Sequence, residues 1–222
     1  MRIRRKKHLA ERLDAVKDLF IVADKKIINV VEAVKDKKYF DFFRIFGNEN
    51  PVELDIGCGK GGFITQLASE NPEKNYIGVE KMENIALLAA ELAKKKGLSN
   101  VRFVNSGAEY LPRYIPEGTV ERIYLNFSPP FPRKSNENRR LTNPKFVRIY
   151  NEMLAEGGEI FQKTDDKAFF DYSFESMRDS GFEVNFVLAA EINRIYGGAI
   201  SEYEKKFLLK QSPIYILSAK KS

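Results

Sequence analysis

The chain has 222 residues, 43% of them apolar, and its 37 Lys and Arg against 31 Asp and Glu give a formal charge of +6. That is enough chain for one α/β domain with a substantial core, or a domain plus a short extension. No apolar run reaches the roughly 18 residues of a membrane span. The single cysteine, Cys58, and the single histidine, His8, exclude an internal disulfide and a Cys/His zinc site. His8 lies in a basic tail, which argues against a Ser-His-Asp triad.

In chain order, the start Met1-Arg2-Ile3-Arg4-Arg5-Lys6-Lys7 is basic, but no apolar stretch follows and Glu11 and Asp14 arrive early. A cytoplasmic protein is therefore expected rather than a secreted one. Leu9, Leu13, Val16 and Phe20 suit a helix, and residues 1–46 read as a basic N-terminal extension ahead of a domain over 47–222. From residue 51, strands and helices alternate. Val52–Ile56 is the first predicted strand, and Phe63, Ile64, Leu67 and Ala68 share one helix face after it. Asn75–Val79 is the second strand. A helix over 84–96 has Ile85, Leu88, Ala89 and Leu92 on one face, Lys94-Lys95-Lys96 in its last turn and Gly97 as its stop.

Val101–Val104 and Arg122–Asn126 are the third and fourth strands. A helix is predicted over Lys145–Ala155, ended by Gly157-Gly158, and a fifth strand over Glu159–Gln162. A helix over Ala168–Ser180 follows, then strands over Phe182–Ala189 and Ile214–Ala219. The series predicts an α/β fold, a doubly wound, seven-stranded, mostly parallel Rossmann-like sheet. No convincing helix separates the last two strands, so one of them is expected to run antiparallel.

The first strand runs into Asp55-Ile56-Gly57-Cys58-Gly59-Lys60-Gly61-Gly62. Such a turn lets backbone approach a ligand and aims helix N–H groups at it. Gly57, Gly59 and Gly62 also satisfy the dinucleotide fingerprint, with Glu80 placed to hold a ribose, so a nicotinamide enzyme competes on these residues. Asp55 tilts the reading. A diphosphate repels a carboxylate there, whereas the cationic amino acid end of S-adenosylmethionine attracts one.

Leu125-Asn126-Phe127-Ser128-Pro129-Pro130-Phe131-Pro132-Arg133-Lys134 follows the fourth strand. The prolines fix the backbone, Phe131 offers a stacking face, and cations follow at once. Arg133, Lys134, Arg139, Arg140, Lys145 and Arg148 stand against one acid, Glu137. With the basic N-terminus this marks a polyanion partner.

At these residues the chain resembles the bacterial tRNA (guanine-N7)-methyltransferases of the class I methyltransferase fold. The resemblance rests on Asp55 to Gly61, Asn75 to Glu80, Tyr124 to Ser128, Pro130, Pro132 and Arg139-Arg140-Leu141-Thr142. It continues through Lys163-Thr164-Asp165 and Ser201 to Phe207, covering roughly residues 47 to 219. It implies methyl transfer from S-adenosylmethionine to N7 of a guanine in tRNA, without a metal, by a monomer or homodimer away from any membrane.

By the same resemblance, Asp55, Gly57, Gly59, Glu80, Gly107, Ala108 and Asn126 form the cofactor site. Ser128, Pro129, Phe131, Arg133, Arg139, Arg140, Asp165, Ser201, Glu202, Tyr203 and Glu204 would contact the substrate, with Asp165 catalytic. The chain departs from the family pattern in several places. Pro129 replaces an aspartate and Phe131 a tryptophan; Gly107 replaces an aspartate near the adenine; Asn136 replaces a histidine and Ser201 a threonine; Asp55 is more often a glutamate. Asp165 is the expected substitute for the missing acid at 129. Ser128-Pro129-Pro130-Phe131 also resembles the motif of exocyclic amino methyltransferases, which would grip an amino group and stack the flipped base. A tRNA-binding homologue with little activity is the third reading.

Overall fold

The computed structural model describes residues 7–21, 23, 29–187, 198–210 and 212–222. All seven expected strands are found: β2 Val52–Ile56, β3 Asn75–Val79, β4 Val101–Val104, β5 Val120–Asn126, β6 Leu154–Thr164, β7 Glu183–Phe186 and β8 Tyr215–Lys220. An eighth, β1 Phe20–Ile21, comes from the N-terminal segment and pairs parallel to the edge strand β4. The sheet order is β1-β4-β3-β2-β5-β6-β8-β7. β8 runs antiparallel to both neighbours, as expected, although a helix over Glu202–Leu209 does lie between β7 and β8. Residues 188 and 189 of the expected sixth strand lie outside the described residues.

The helices are α1 Leu9–Asp14, α2 Val30–Lys35, α3 Phe42–Phe46, α4 Gly62–Glu70, α5 Glu83–Lys95, α6 Leu111–Tyr114, α7 Pro144–Met153, α8 Lys167–Asp179 and α9 Glu202–Leu209. Two apolar layers clothe the sheet. On one face Phe63, Ile64 and Leu67 of α4 and Leu87, Ala89 and Ala90 of α5 pack with Tyr76, Tyr124 and Phe161. On the other, Val147, Tyr150 and Met153 of α7 and Phe170 and Met177 of α8 meet Leu54, Ile77, Ile123 and Leu125. Among the described residues, no helix is long and apolar enough to cross a membrane.

Three local expectations need correction. The buried face of α5 is Ala86, Leu87, Ala89, Ala90 and Ala93, rotated from the one expected; Ile85, Leu88 and Leu92 are only partly covered. Alanines win because α5 lies close to the glycine turn, where Ala89 leaves no room for a Cβ on Gly61. Gly157 and Gly158 do not end a helix: α7 stops at Met153, and the two glycines lie within β6. There Leu154 pairs with Val120 and Glu159 with Arg122, and the register shifts between them, so the glycines occupy a bulge.

The N-terminal helix is shorter than expected: α1 ends at Asp14, and Phe20 opens β1. Leu9 and Val16 are buried in the core, and Arg12 clasps Glu91 of α5 with both its Nε and Nη2, at 2.7 and 2.6 Å. Further along, Arg113 of α6 donates to the carbonyls of Ala33 and Asp36 and to the Asp36 carboxylate, which fixes α2 over the sheet's carboxyl edge.

Candidate active site

β2 and β5 are neighbours, but β3 and β4 lie on one side of the pair and β6 on the other. At such a reversal the loops leaving the carboxyl ends diverge and open a crevice. A cavity of about 1120 Å³ occupies it. Its wall includes Asp55, Gly57, Gly59, Glu80, Gly107, Ala108, Asn126, Ser128, Pro129, Phe131, Arg139, Ser201 and Tyr203, thirteen of the residues expected from the sequence.

The glycine turn forms because the chain must reverse tightly over β3. Gly57 and Cys58 both donate their N–H to the Val79 carbonyl, at 2.8 and 3.1 Å, with Gly57 at φ 84°. Gly61, at φ 79°, caps α4, and a Cβ there would lie 2.7 Å from the Ala89 Cβ. Its conformation and its neighbour therefore both demand glycine.

Asp55 is the last residue but one of β2, at 2% exposure, and among the described residues its Oδ1 has no hydrogen-bond partner. Burial, and then the nearby Glu80 charge, push its pKa up to about 8; the neighbouring Asn126 amide offsets this only in part. Among the described residues, both amide atoms of Asn126 and the Ser128 hydroxyl are likewise buried without a hydrogen bond of good geometry. Buried polar atoms are almost always satisfied. This cluster at a cavity wall is therefore built for a polar ligand, and the unsatisfied carboxylate asks for a cation. Glu80 is held differently. Its Oε1 accepts from the Met82 N–H at 2.8 Å, while Asn105 fixes its carbonyl. Its other carboxylate oxygen is available for a diol. A cationic head, a diol and close backbone approach fit S-adenosylmethionine; two phosphates beside Asp55 do not fit.

The proline loop is held in an unusual backbone. Phe127 and Phe131 have φ of 50° and 43°, a region that non-glycine residues rarely adopt. Phe127 donates its N–H to the Lys163 carbonyl at 2.8 Å and stacks on Tyr203. Arg140 holds the loop from beneath. Its Nε donates to the Pro130 carbonyl at 2.8 Å, and its guanidinium lies 4.2 Å over the Tyr172 ring. Arg140 thus faces inward and is committed to the fold, unlike the phosphate contact expected of it. Arg139 lies 4.5 Å over Phe131, so it covers a face on which a base was expected to stack.

The remaining expected residues are dispersed. Arg133 lies outside the cavity wall. Asp165 follows β6 directly, is exposed and is not part of the cavity wall. Glu204 is buried and is not part of the cavity wall: both its carboxylate oxygens accept from the Lys163 Nζ at 2.9 Å. Burial lowers the Lys163 pKa, and Glu204 opposes that effect. Ser201 accepts from the Glu204 N–H at 3.0 Å while Glu204 reaches back to the Ser201 N–H at 3.4 Å. That is a capping box, which Ser-x-x-Glu spacing announces in the sequence. The Glu202 side chain lies outside the described residues.

Other parts of the wall carried no signal of a cavity in the sequence, although Leu141 belongs to the family pattern and Lys145 to the basic cluster. Val30, Val31, Val34 and Lys37 of the N-terminal segment close one side, with Leu141, Lys145, Phe146 and Ile149 opposite.

The family model described as "Putative methyltransferase" matches residues 49–217. A tRNA (guanine-N(7)-)-methyltransferase of Listeria monocytogenes serotype 4b (strain F2365) is 45% identical over 177 residues, covering 79% of this chain and 83% of the relative. The Bacillus subtilis (strain 168) protein of the same name is 39% identical over 172 residues, 77% of this chain and 81% of that protein. Among solved structures, a 16S rRNA methyltransferase, KamB, superposes with a TM-score of 0.61 at 13% identity, covering 84% of this chain and 95% of its own. Haemonchus contortus phosphoethanolamine N-methyltransferase 2, in complex with S-adenosyl-L-methionine, gives 0.52 at 15% identity, over 96% of this chain and 60% of that one. The two structures share the fold. With close relatives spanning most of its length and a family model spanning β2 to β7 and the start of β8, this chain belongs to the tRNA (guanine-N(7)-)-methyltransferase family.

Proposed function

We propose that the chain binds S-adenosylmethionine at the glycine turn and methylates N7 of a guanine in tRNA, in the cytoplasm. The observation that carries this reading is the unsatisfied polar cluster of Asp55, Asn126 and Ser128 on the cavity wall of a methyltransferase-family chain. Asp55 takes the ammonium of the amino acid end, the Gly57 and Gly59 backbone admits the chain behind it, and Glu80 takes the ribose hydroxyls. When bound, the cofactor supplies a methyl group activated by its sulfonium.

Guanine N7 carries its own lone pair, so the protein needs no general base. Its tasks are positioning and charge. The loop from Phe127 to Phe131, braced by Arg140 and stacked on Tyr203, holds the base against the Ser128 side of the cavity. Positive charge develops on the purine as N7 is alkylated, and a nearby carboxylate stabilises it. Pro129 has neither a carboxylate nor an N–H to give. Asp165, directly after β6, is the acid we assign to that role.

The test is incubation with methyl-labelled S-adenosylmethionine and unmodified tRNA, then digestion and identification of the labelled nucleoside. Label at guanine N7 is expected, and about 100-fold less from Asp165→Ala, the usual scale for losing one electrostatic stabiliser. Label on an exocyclic amino group would select the Ser-Pro-Pro-Phe reading instead. Bound tRNA with no label would indicate a binding homologue.

The tRNA surface divides by residue. Arg139 and Lys145 lie on the cavity wall and Arg133 outside it, and phosphate contacts made by such cations are salt-sensitive. Arg139→Ala is expected to weaken tRNA binding and flatten its dependence on salt while leaving folding intact. Arg140→Ala is expected to lower the melting temperature, because it removes a support of the loop. Equal effects of both on stability would refute this division.

A further inference from the structure

We propose that Gln66 is a positioning residue for tRNA: it fastens the substrate side of the cavity to the helix that starts at the glycine turn. The inference rests on the substrate reading above and extends it to a residue outside the cavity wall. α4 runs over Gly62–Glu70, and its first residues, Gly62 and Phe63, belong to that wall. Gln66 follows Gly62 by one helical turn and so shares its face of the helix, as does Glu70 after it. The Gln66 amide meets a segment far along the chain. Its Nε2 donates to the Gly198 carbonyl at 3.0 Å and to the Glu70 Oε1 at 2.9 Å, and its Oε1 accepts from the Ile200 N–H at 3.3 Å.

These partners fix which way the amide faces. A carboxylate and a carbonyl only accept, so both call for the NH2 group and leave the Oε1 for Ile200. One side chain thus holds the backbone on both sides of Ala199. That alanine is 1% exposed, in the same apolar layer as Phe63 and Ile64 of α4. Gly198 has φ 106°, a conformation that favours glycine. Directly after this anchor come Ser201 and Tyr203, both on the cavity wall. The Lys163–Glu204 pair holds the same segment from the sheet side. Gln66 holds the point where the chain enters it. Without the amide, tRNA must order that entry on binding, and its apparent affinity falls with the fraction of molecules that already hold it. The bonds of Gln66 run to the 198–200 segment and Glu70, so the cofactor residues keep their arrangement when it is replaced.

The test is steady-state methyl transfer to tRNA by the wild-type chain, Gln66→Met and Gln66→Glu, with calorimetric binding of S-adenosylhomocysteine and melting temperatures taken alongside. Methionine keeps the length and suits the helix but makes neither backbone bond. Glutamate keeps an acceptor for Ile200 and sets a carboxylate against the Gly198 carbonyl and Glu70. Both variants are expected to raise KM for tRNA about 5- to 30-fold, the worth of one to two net hydrogen bonds. Because the segment meets the nucleotide before and during transfer alike, kcat should stay within about twofold of wild type. Affinity for S-adenosylhomocysteine should not change. A lower melting temperature with wild-type KM would limit Gln66 to holding the fold and overturn the inference. Weaker S-adenosylhomocysteine binding in step with the tRNA defect would also overturn it, and either result leaves the functional reading standing. A wild type that binds S-adenosylhomocysteine but methylates no tRNA overturns the functional reading and the inference with it.

Discussion

Replacing Asp55 with Asn is expected to make the protein more stable at pH 8 and much poorer at binding S-adenosylhomocysteine. Asp55 is buried near the end of β2 with one oxygen unpartnered among the described residues, and burial together with Glu80 raises its pKa to about 8. In the unfolded chain it titrates near the ordinary value of about 3.9. Between those values the folded state holds a proton that the unfolded state has released, so stability from this group is complete below about pH 4 and is lost as pH rises through about 8. Asparagine keeps the shape and never ionises. Each tenfold difference in ionisation is worth about 1.4 kcal/mol. A gain of at least that size, about 3–6 °C for a chain of this length, is therefore expected at pH 8 and little gain at pH 4.

The ligand draws the equilibrium the other way. An ammonium beside Asp55 favours the carboxylate, so binding below pH 8 releases a proton and affinity rises from pH 6 to 8. Asp55→Asn should bind about 10- to 150-fold more weakly, having lost a charged partner, and show no such rise. Calorimetry in two buffers of different ionisation heat reads the released proton directly. A variant that binds as tightly as wild type and melts no higher would remove Asp55 from the ligand site.

The sequence revealed the strands from Val52 to Asn126 almost to the residue because each is a short apolar run bounded by a turn. It also showed the cofactor edge of the cavity, since a glycine turn and acids at strand ends announce themselves locally. What it hid depends on long-range packing. The bulge at Gly157 looked like a helix stop, because glycine marks both. The α5 face was misjudged because alanine scores as weakly apolar, yet it is what fits beside Gly61. Val30, Val31 and Val34 reach the cavity only because Arg113, some 80 residues away, holds α2 by the carbonyl of Ala33. Arg139 and Arg140 are adjacent in sequence, but one caps the Phe131 ring and the other braces the loop. A count of charges treats them alike.

The second large effect is expected where the sequence suggested substrate contact and the structure shows an ion pair. Lys163 is 0% exposed, and its Nζ gives hydrogen bonds of 2.9 Å to both oxygens of Glu204. The pair fastens the Ser201–Glu204 capping box to β6, and with it Tyr203, which stacks on Phe127 at the cavity mouth. Truncating either partner leaves the other charge buried and alone, a loss of about 3–5 kcal/mol. Lys163→Ala and Glu204→Ala are therefore each expected to destabilise the chain by that amount in denaturant unfolding. The double replacement Lys163→Met with Glu204→Leu should recover most of the stability, because two apolar groups of similar volume leave no charge stranded. If Glu204 instead worked by touching the nucleotide, Glu204→Ala would leave stability near that of wild type and reduce methyl transfer alone. If the pair positions the mouth, the double variant should fold normally, bind S-adenosylhomocysteine as wild type, and show a raised KM for tRNA because the register of Tyr203 is no longer fixed. Wild-type KM in a stable double variant would limit the ion pair to holding the helix in place.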